Sequence, residues 1–269
     1  MKRYLLLIAL FIVNHSGYSQ TEQEQIKGTL LNYIEGTSYN HIDRIQKAFH
    51  GEANLYLENK EKELWIVPAE EYTNWFRKGK PGQFNGRIGN ILSIDHHDGI
   101  ATAKAEIIIP SKEIRYIDMF LLKKVKHEWK IISKSASGKE SNLNGNRILF
   151  IVSNAHYYGN STLPTGNSFS EIVNAYDTFV QAGYTVDFVS PSGGSIPLAY
   201  INTSDTLQKQ YLYDRDFMYA INHTNKPSEV LAERYKAVHY IGGGSAMFGV
   251  PENGAIQKIA MTIYEEHNG

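Results

Sequence analysis

A polar segment at residues 136–146 divides this sequence into two parts whose hydrophobic patterns require different folds. The segment carries serine, glycine, asparagine and charged residues without an apolar period, which is typical of a connection between domains. Helical spacing and then hairpin-like strands precede it, whereas continuous apolar strands alternate with helices after it. We therefore predict two domains, at residues 20–135 and 147–269, joined by this linker.

Residues 1–19 have the pattern of a secretory signal peptide. A basic start is followed by an apolar run at residues 4–13, and Gly17 and Ser19 favour cleavage before Gln20. That run is about half of the roughly 20 residues needed to span a bilayer, and no cysteine follows the cut to carry a lipid. The mature protein is predicted to be soluble, and secreted or periplasmic.

Charge and cysteine content narrow the functions. The 27 Lys and Arg residues balance 28 Asp and Glu residues, so no excess positive charge attracts nucleic acid or an acidic membrane. The absence of cysteine from these 269 residues excludes disulfides, cysteine-ligated metals and a thiol nucleophile within them. We expect no metal or cofactor, a small-molecule ligand or substrate as partner, no nucleic acid, and no membrane after signal cleavage; a homodimer stays open.

The first region has the pattern of an α+β domain. Two amphipathic helices open it, and a third begins at Pro68. Strands are predicted at residues 53–57, 63–67, 88–94, 101–109, 116–124 and 128–134. Helices followed by a largely antiparallel sheet define the α+β class.

This order of elements, together with the strand sequences at residues 116–123 and 129–132, resembles the nuclear transport factor two-like superfamily and, within it, the putative lumazine-binding branch. The resemblance implies a cone-shaped α+β fold with a pocket. Enzymes, binding modules and dimerisation domains all occur in that superfamily, so the resemblance leaves the function of the pocket open.

Two features of the first region could carry chemistry. Asp118 lies in an apolar strand, where burial would raise its pKa and suit it to proton transfer. The alternative is that it pairs with a neighbour such as Arg115 or Lys123, or faces solvent. The segment His96-His97-Asp98 could bind a metal ion. Because it adjoins Gly99 between two strands, a solvated hairpin turn is the favoured interpretation.

The second region has the pattern of a parallel sheet covered on both faces. Apolar strands are predicted at residues 147–153, 185–189 and 237–241, with a helix between the first two that ends at Gly183. The third strand runs into Gly242-Gly243-Gly244. A dinucleotide or phosphate-binding loop is excluded there because Met247 and Val250 stand where glycine and lysine are required. Met247 also excludes a serine nucleophile elbow at Ser245.

Several separated motifs of this region resemble the ThiJ/PfpI family of the class I glutamine amidotransferase-like superfamily. They are Val152-Ser153-Asn154, Thr165-Gly166 followed by Glu171, Ala182-Gly183-Tyr184 leading to Ser190-Pro191-Ser192-Gly193-Gly194, and residues 240–248 followed by Pro251 and Asn253. The long insertion at residues 195–235 is similar to that of the glyoxalase III and chaperone branch. The resemblance implies a doubly wound, flavodoxin-like α/β domain, here partial.

The same resemblance implies a cysteine nucleophile after a further strand, then a histidine, with a glutamate nearby and an oxyanion hole of backbone amides. Glu171 matches the glutamate, which when protonated would hydrogen-bond a thiolate and lower the pKa of the thiol. Ser168 and Glu171 also fit a helix capping box, and both roles can hold together. Gly242-Gly243 match the oxyanion-hole glycines, whereas Gly244-Ser245 stand where the family has histidine and glycine.

Further pocket candidates follow the first strand at the carboxyl edge, where open parallel sheets bind ligands. They are Asn154, His156 and Tyr157, in addition to Gly244, Ser245 and, in the first domain, Asp118. A solvated loop is the simpler interpretation of His156 and Tyr157. His239 lies within the third strand and is predicted to be a core histidine.

The last helix is followed by Asn268-Gly269, where the family would continue into the cysteine-bearing strand. We therefore expect these residues to be an incomplete version of a longer protein; a truncated pseudoenzyme is the alternative. The parent is predicted to be a cysteine-dependent glyoxalase, deglycase or amidase-like hydrolase or lyase, and this chain to be inactive. The alternative function is non-catalytic ligand binding or dimerisation through the first domain.

Overall fold

The protein is described by a computed structural model at residues 21–59 and 61–267. The predicted signal peptide at residues 1–19 lies outside the described residues. Within the described part of the chain, no helix has both the length and the apolarity to cross a bilayer.

The first region is an α+β domain, as the sequence predicts. Its helices are α1 (Glu22–Ser38), α2 (Ile42–Ala48) and α3 (Ala69–Asn74), and a 3₁₀ turn, Trp75–Lys78, extends α3. Its strands are β1 (Phe49–Leu57), β2 (Trp65–Pro68), β3 (Ile88–His97), β4 (Ile100–Ile109), β5 (Ile114–Val125) and β6 (Glu128–Glu140). They form one six-stranded sheet in the order β2-β1-β6-β5-β4-β3, antiparallel except where β1 meets β6.

Helix α1 supplies the apolar face that this sheet covers. It begins at a capping box, in which Thr21 Oγ1 accepts from Glu24 N (3.2 Å) and Glu24 Oε2 accepts from Thr21 N (2.9 Å). Ile26, Leu30 and Tyr33 follow at helical spacing and are fully buried. The spacing of these residues therefore directs α1 against the sheet.

The end of β6 differs from the prediction. The strand continues past Lys134 to Glu140, so residues 136–140 of the predicted linker belong to the first domain's sheet. The reason is the length of β5, which begins at Ile114 and pairs with β6 as far as Glu140. Cross-strand hydrogen bonds thus extend a strand whose composition is typical of a loop.

The second region contains a three-stranded parallel sheet. Its strands are β7 (Arg147–Ile151), β9 (Thr185–Val189) and β11 (Tyr235–Tyr240), in the order β11-β7-β9. A two-stranded parallel ladder joins β8 (Asn167–Ser168) to β10 (Leu198–Ala199). The helices are α4 (Phe169–Gln181), α5 (Thr206–Tyr213), α6 (Arg215–Asn222) and α7 (Gly254–His267).

Apolar clusters cover both faces of this sheet. Phe150 and Phe188 pack against α4 in one cluster, whereas Leu149 and Val189 pack in another that includes Ile263 of α7. Alternate residues of the strands thus enter opposite cores, as a doubly wound sheet requires. The fold class is confirmed as an α+β domain followed by a partial flavodoxin-like α/β domain.

The two domains meet through the insertion and the start of β7. Arg147 donates to both carboxylate oxygens of Asp187 (2.8 and 2.7 Å) and also to Asn90 Oδ1 of the first domain. Tyr235 Oη donates to Asp187 as well, at 2.8 Å. This mostly buried network links three parallel strands to β3.

Helix α6 of the insertion makes further contacts with the first domain. Lys104 Nζ lies 2.7 Å from Asp216 Oδ1, and Gln23 donates to the Tyr219 hydroxyl at 3.1 Å. Nearby, Lys27 pairs with Glu229 at 2.7 Å. The insertion therefore adds polar contacts with the first domain to the contact that Arg147 makes.

Candidate functional site

The loop after β11 and the start of α4 come together at the carboxyl edge of the parallel sheet. Gly242 N donates to Glu171 Oε2 at 2.8 Å, and Ser168 N donates to Gly242 O at 3.0 Å. These bonds join the predicted acid to the predicted oxyanion-hole loop, which lie far apart in sequence. A side chain at position 242 would place its Cβ 2.5 Å from Glu171 Oε2, so only glycine permits this approach.

The same geometry bears on whether Glu171 is a capping-box residue or an acid that faces the glycine loop. Ser168 caps α4, because its Oγ accepts from Glu171 N at 3.4 Å. The return bond of a capping box is absent between these residues: Ser168 N donates to Gly242 O, and the exposed Glu171 carboxylate turns to Gly242 N. The N-cap is therefore confirmed, and the carboxylate is directed to the glycine loop.

Of the two oxyanion-hole candidates, Gly243 carries the available donor. Gly242 N–H is committed to Glu171, whereas Gly243 N–H has no hydrogen-bond partner among the described residues. Gly243 has φ of +104°, and a Cβ there would lie 2.6 Å from Gly166 O. Its left-handed backbone and its close approach to the preceding loop both require glycine.

Gly244 and Ser245 occupy a tightly packed 3₁₀ turn. A Cβ on Gly244 would come within 2.2 Å of the Tyr158 hydroxyl, so the tyrosine fills the space that a histidine there would need. Ser245 is completely buried, and its Oγ contacts no hydrogen-bond partner in the described part of the chain. Its burial gives Ser245 no access to a ligand in this arrangement.

In the loop after β7, Asn154 makes structural hydrogen bonds, whereas His156 and Tyr157 face solvent. Asn154 holds the loop after β9, because its amide donates to Gly193 O (3.1 Å) and its Oδ1 accepts from Ser192 N (2.9 Å). His156 and Tyr157 are exposed, in agreement with the simpler prediction for them.

A tyrosine pair that the sequence motifs did not indicate lies beside Gly244. A hydrogen bond with Tyr158 raises the pKa of the exposed Tyr200 hydroxyl. Tyr200 has φ of +57°, a rare conformation for an aromatic residue. It directly follows β10, which pairs with β8, so the insertion places it beside Tyr158.

His239 is half-buried beside aromatic rings, with its ring centroid 5.0 Å from that of Phe150. Burial lowers the pKa of His239, and the nearby Glu171 carboxylate opposes that shift. The packing agrees with a histidine of the core rather than a catalytic base.

Asp118 is buried in the first domain, and its partners differ from those predicted. Lys134 Nζ lies 2.6 Å from Asp118 Oδ1, and the Tyr33 hydroxyl donates to Oδ2 at 2.6 Å. Arg115 pairs instead with Glu106 at 2.7 Å, and Lys123 is exposed. Asp118 is therefore paired, as the alternative interpretation expected, but with Lys134 rather than with Arg115 or Lys123.

The register of the β5–β6 pairing explains why Lys134 is the partner of Asp118. Asp118 lies opposite Ala136 in the β5–β6 ladder, so Lys134 is its diagonal neighbour on the same face. The sequence prediction ended β6 at Lys134, so it did not place Lys134 beside Asp118.

The histidine segment at the tip of the β3–β4 hairpin is solvated. His96, His97 and Asp98 are all exposed, and Asp98 has φ of +39° where the chain turns. The hairpin interpretation is confirmed. Within residues 21–59 and 61–267, His, Cys, Asp and Glu side chains form no group of three or more able to hold a metal ion.

Comparison with known proteins separates the same two regions. Residues 21–136 match the family described as putative lumazine-binding. A glutathione-independent glyoxalase of Schizosaccharomyces pombe is 28% identical over 110 residues, covering 37% of this chain and 44% of that protein. Residues 21–136 are thus similar to lumazine-binding-like proteins, and a further part of the chain is similar to glutathione-independent glyoxalases.

Solved structures similar to each region are also known. An NTF2-like protein of unknown function from Shewanella baltica has 22% identity and a TM-score of 0.41, covering 46% of this chain and 100% of its own. Glyoxalase III from Candida albicans has 20% identity and a TM-score of 0.40, covering 45% of this chain and 53% of its own. The ThiJ/PfpI-like region thus spans less than half of the curated S. pombe relative and about half of the solved glyoxalase III.

Proposed function

We propose that the ThiJ/PfpI-like region supplies the glutamate and oxyanion-hole part of a cysteine-dependent site that acts on reactive carbonyl compounds. The contact between Glu171 and the Gly242-Gly243 loop carries this proposal. The glyoxalase name of a homologue supports the choice of a carbonyl substrate. Because these 269 residues contain no cysteine, we propose that they are inactive alone and that the nucleophile belongs to a longer parent protein.

The proposed chemistry assigns different roles to the two glycines. A thiolate would add to the carbonyl carbon, forming a C–S bond while the π pair of the C=O bond moves to oxygen. Gly243 N–H is free to donate to the resulting alkoxide. Gly242 N–H would join it only when Glu171 turns away toward the thiol, where a protonated carboxyl would stabilise the thiolate.

The first test is to read the coding sequence beyond Gly269. The proposal requires a further apolar strand followed by cysteine and histidine, and an immediate stop codon would refute it. Methylglyoxal consumption should be undetectable for the 269-residue chain and restored in the extended protein. Turnover by the present chain would refute the assignment of its inactivity.

A substitution in the extended protein tests the acid. Glu171→Ala should reduce kcat/KM for methylglyoxal by about 10- to 100-fold, because a hydrogen bond to a charged group such as the thiolate contributes about 1.5–3 kcal/mol. Glu233→Ala, on an exposed turn of the insertion, is the matched control and should leave kcat/KM unchanged. Equal activity of the two variants would remove Glu171 from the mechanism.

We also propose that the protein is exported through a cleaved signal peptide. Amino-terminal sequencing of the protein from the periplasm or medium should begin at Gln20. Recovery of the intact amino terminus in the cytoplasm would contradict export. Its proposed partner is a small-molecule substrate, with neither nucleic acid nor, after cleavage, membrane.

A further inference from the structure

A buried polar cluster lies between α1, α3 and the sheet of the first domain. We define it by Tyr33, Tyr72, Arg87, Asp118 and Lys134. Lys134 and Tyr33 each contact one oxygen of Asp118 at 2.6 Å, and the Tyr33 and Tyr72 hydroxyls are 3.2 Å apart. Both oxygens of the carboxylate therefore already have close partners.

The cluster contains more positive than negative charge. Asp118 is its one carboxylate, whereas Lys134 and Arg87 are both cations, and Lys134 is ion-paired with Asp118. Burial raises the pKa of the Tyr33 hydroxyl well above its ordinary value, so it stays neutral. Arg87 forms no ion pair within the described residues, which leaves one positive charge without a direct counter-charge.

The groups around Arg87 favour its charged form. Burial alone would lower the pKa of its guanidinium, but Tyr72, Tyr33 and Asp118 together raise it, and a hydrogen bond with Tyr33 contributes. Its Nε is buried and has no hydrogen-bond partner among the described residues. A buried donor of a charged group without an acceptor is costly in a protein interior.

One aromatic ring lies beside this guanidinium, and further rings pack behind that ring. The Arg87 Cζ lies 5.7 Å from the centre of the Phe76 ring, and Phe76 packs edge-on against Tyr72. Trp75 packs against Tyr72 and stacks on Trp65, with ring centroids 5.1 and 5.4 Å apart. Arg87 itself is partly exposed, so the cluster is open to solvent on that side.

We propose that Arg87 binds the carboxylate of a small organic acid whose apolar body lies against Phe76 and the neighbouring rings. A guanidinium presents its donors in a planar fork that matches a carboxylate. One carboxylate would neutralise the one unpaired charge by accepting from the terminal N–H groups of the guanidinium. A phosphate dianion would exceed that charge, and the apolar rings favour an organic body. This site is independent of the carbonyl chemistry of the second domain.

Tryptophan fluorescence of the full chain provides the test, since all three tryptophans, Trp65, Trp75 and Trp129, belong to the first domain. Benzoate is the probe and benzamide its neutral counterpart of the same shape. Benzoate should change the emission with a Kd of about 1 mM, and benzamide should bind at least about tenfold more weakly. No change up to about 10 mM benzoate, or equal binding of the two compounds, would overturn the proposal.

Variants then assign the binding to Arg87. Arg87→Gln should weaken benzoate at least about tenfold, and Arg87→Lys, which keeps the charge but loses the fork, should bind at an intermediate level. Arg77→Gln is the matched control, because Arg77 is exposed and donates to Asn74. Near-UV circular dichroism establishes that each variant is folded. Unchanged affinity for benzoate in folded Arg87→Gln would refute the assignment. The comparison of benzoate with benzamide uses the wild-type chain, so it tests the proposal even when a variant does not fold.

Discussion

At the scale of single residues, three successive glycines determine how closely the loop after β11 approaches α4. Each of Gly242, Gly243 and Gly244 faces atoms that a Cβ would meet at 2.6 Å or less. Those atoms belong to Glu171, to the backbone near Gly166 and to Tyr158. At Gly243 those atoms are backbone, so a side chain there would displace the loop itself, whereas at Gly242 and Gly244 the Glu171 and Tyr158 side chains would have to move.

Gly243→Ala tests this constraint. The substitution combines a strained left-handed backbone with a steric clash, so it should lower the free energy of unfolding by about 3 kcal/mol. Gly254→Ala is the control, because no atom lies within 4 Å of its Cβ position and it is at the start of a helix. Urea unfolding followed by far-UV circular dichroism measures both. Equal stabilities would show that the loop relaxes freely.

Residue-scale predictions from the sequence succeeded where a motif or a local cap carried the information. Glu171 and Gly242 were each singled out by motif, and the structure joins them. Arg87 was not predicted. It stands out because it has no ion-pair partner among the described residues, and this is seen only once the strands and helices are assembled. Tyr200 was not predicted because its location depends on the pairing of β10 with β8.

At the scale of elements, the start of β7 is where the two domains are joined. Arg147 is contributed by β7, Asp187 by β9, Tyr235 by β11 and Asn90 by β3. Burial lowers the pKa of the Arg147 guanidinium, but Asp187 and Tyr235 outweigh it and raise that pKa. The strand ends are thus connected by one charged network rather than by apolar packing alone.

Arg147→Ala should destabilise the second domain by about 3 kcal/mol, because it leaves the Asp187 carboxylate mostly buried without its cation. Tryptophan emission reports the first domain only, whereas far-UV circular dichroism reports both. We expect the two urea transitions to separate in this variant. Lys27→Ala removes a more exposed interdomain pair and should cost less than about 1 kcal/mol. Coincident, unshifted transitions in Arg147→Ala would contradict the role of the network.

Element positions were largely predictable because hydrophobic period and turn residues are local signals. The strand at Thr185–Val189 agrees with its predicted bounds, and β4 lies within one residue of its predicted start. The end of β6 was not predictable, because residues 136–140 are polar and are held as a strand only by β5. Partner strands supply information that a single segment does not contain.

At the scale of the whole molecule, β11 is an edge strand: within the described residues it pairs only with β7. Tyr240, at its carboxyl end, is 47% exposed. An uncovered edge next to exposed aromatic surface invites pairing with another strand. We propose this edge as the contact surface of a homodimer of this chain.

Tyr240→Lys should shift the chain toward the monomer, because a charged residue at a strand edge opposes pairing. Tyr213→Lys makes the same change at an exposed tyrosine on α5 and should leave the molar mass unchanged. Size-exclusion chromatography with light scattering measures both. A wild-type chain that is monomeric at all concentrations tested would exclude this dimer.

The contacts of the insertion with the first domain bear on how the two domains are held together. Lys104–Asp216, Lys27–Glu229 and Gln23–Tyr219 are separate polar pairs, each made by one residue from either side. These partly exposed pairs add to the mostly buried network around Arg147, so the two domains are joined both at the strand ends and along the insertion. Loss of one such pair would therefore leave most of the attachment between the domains in place.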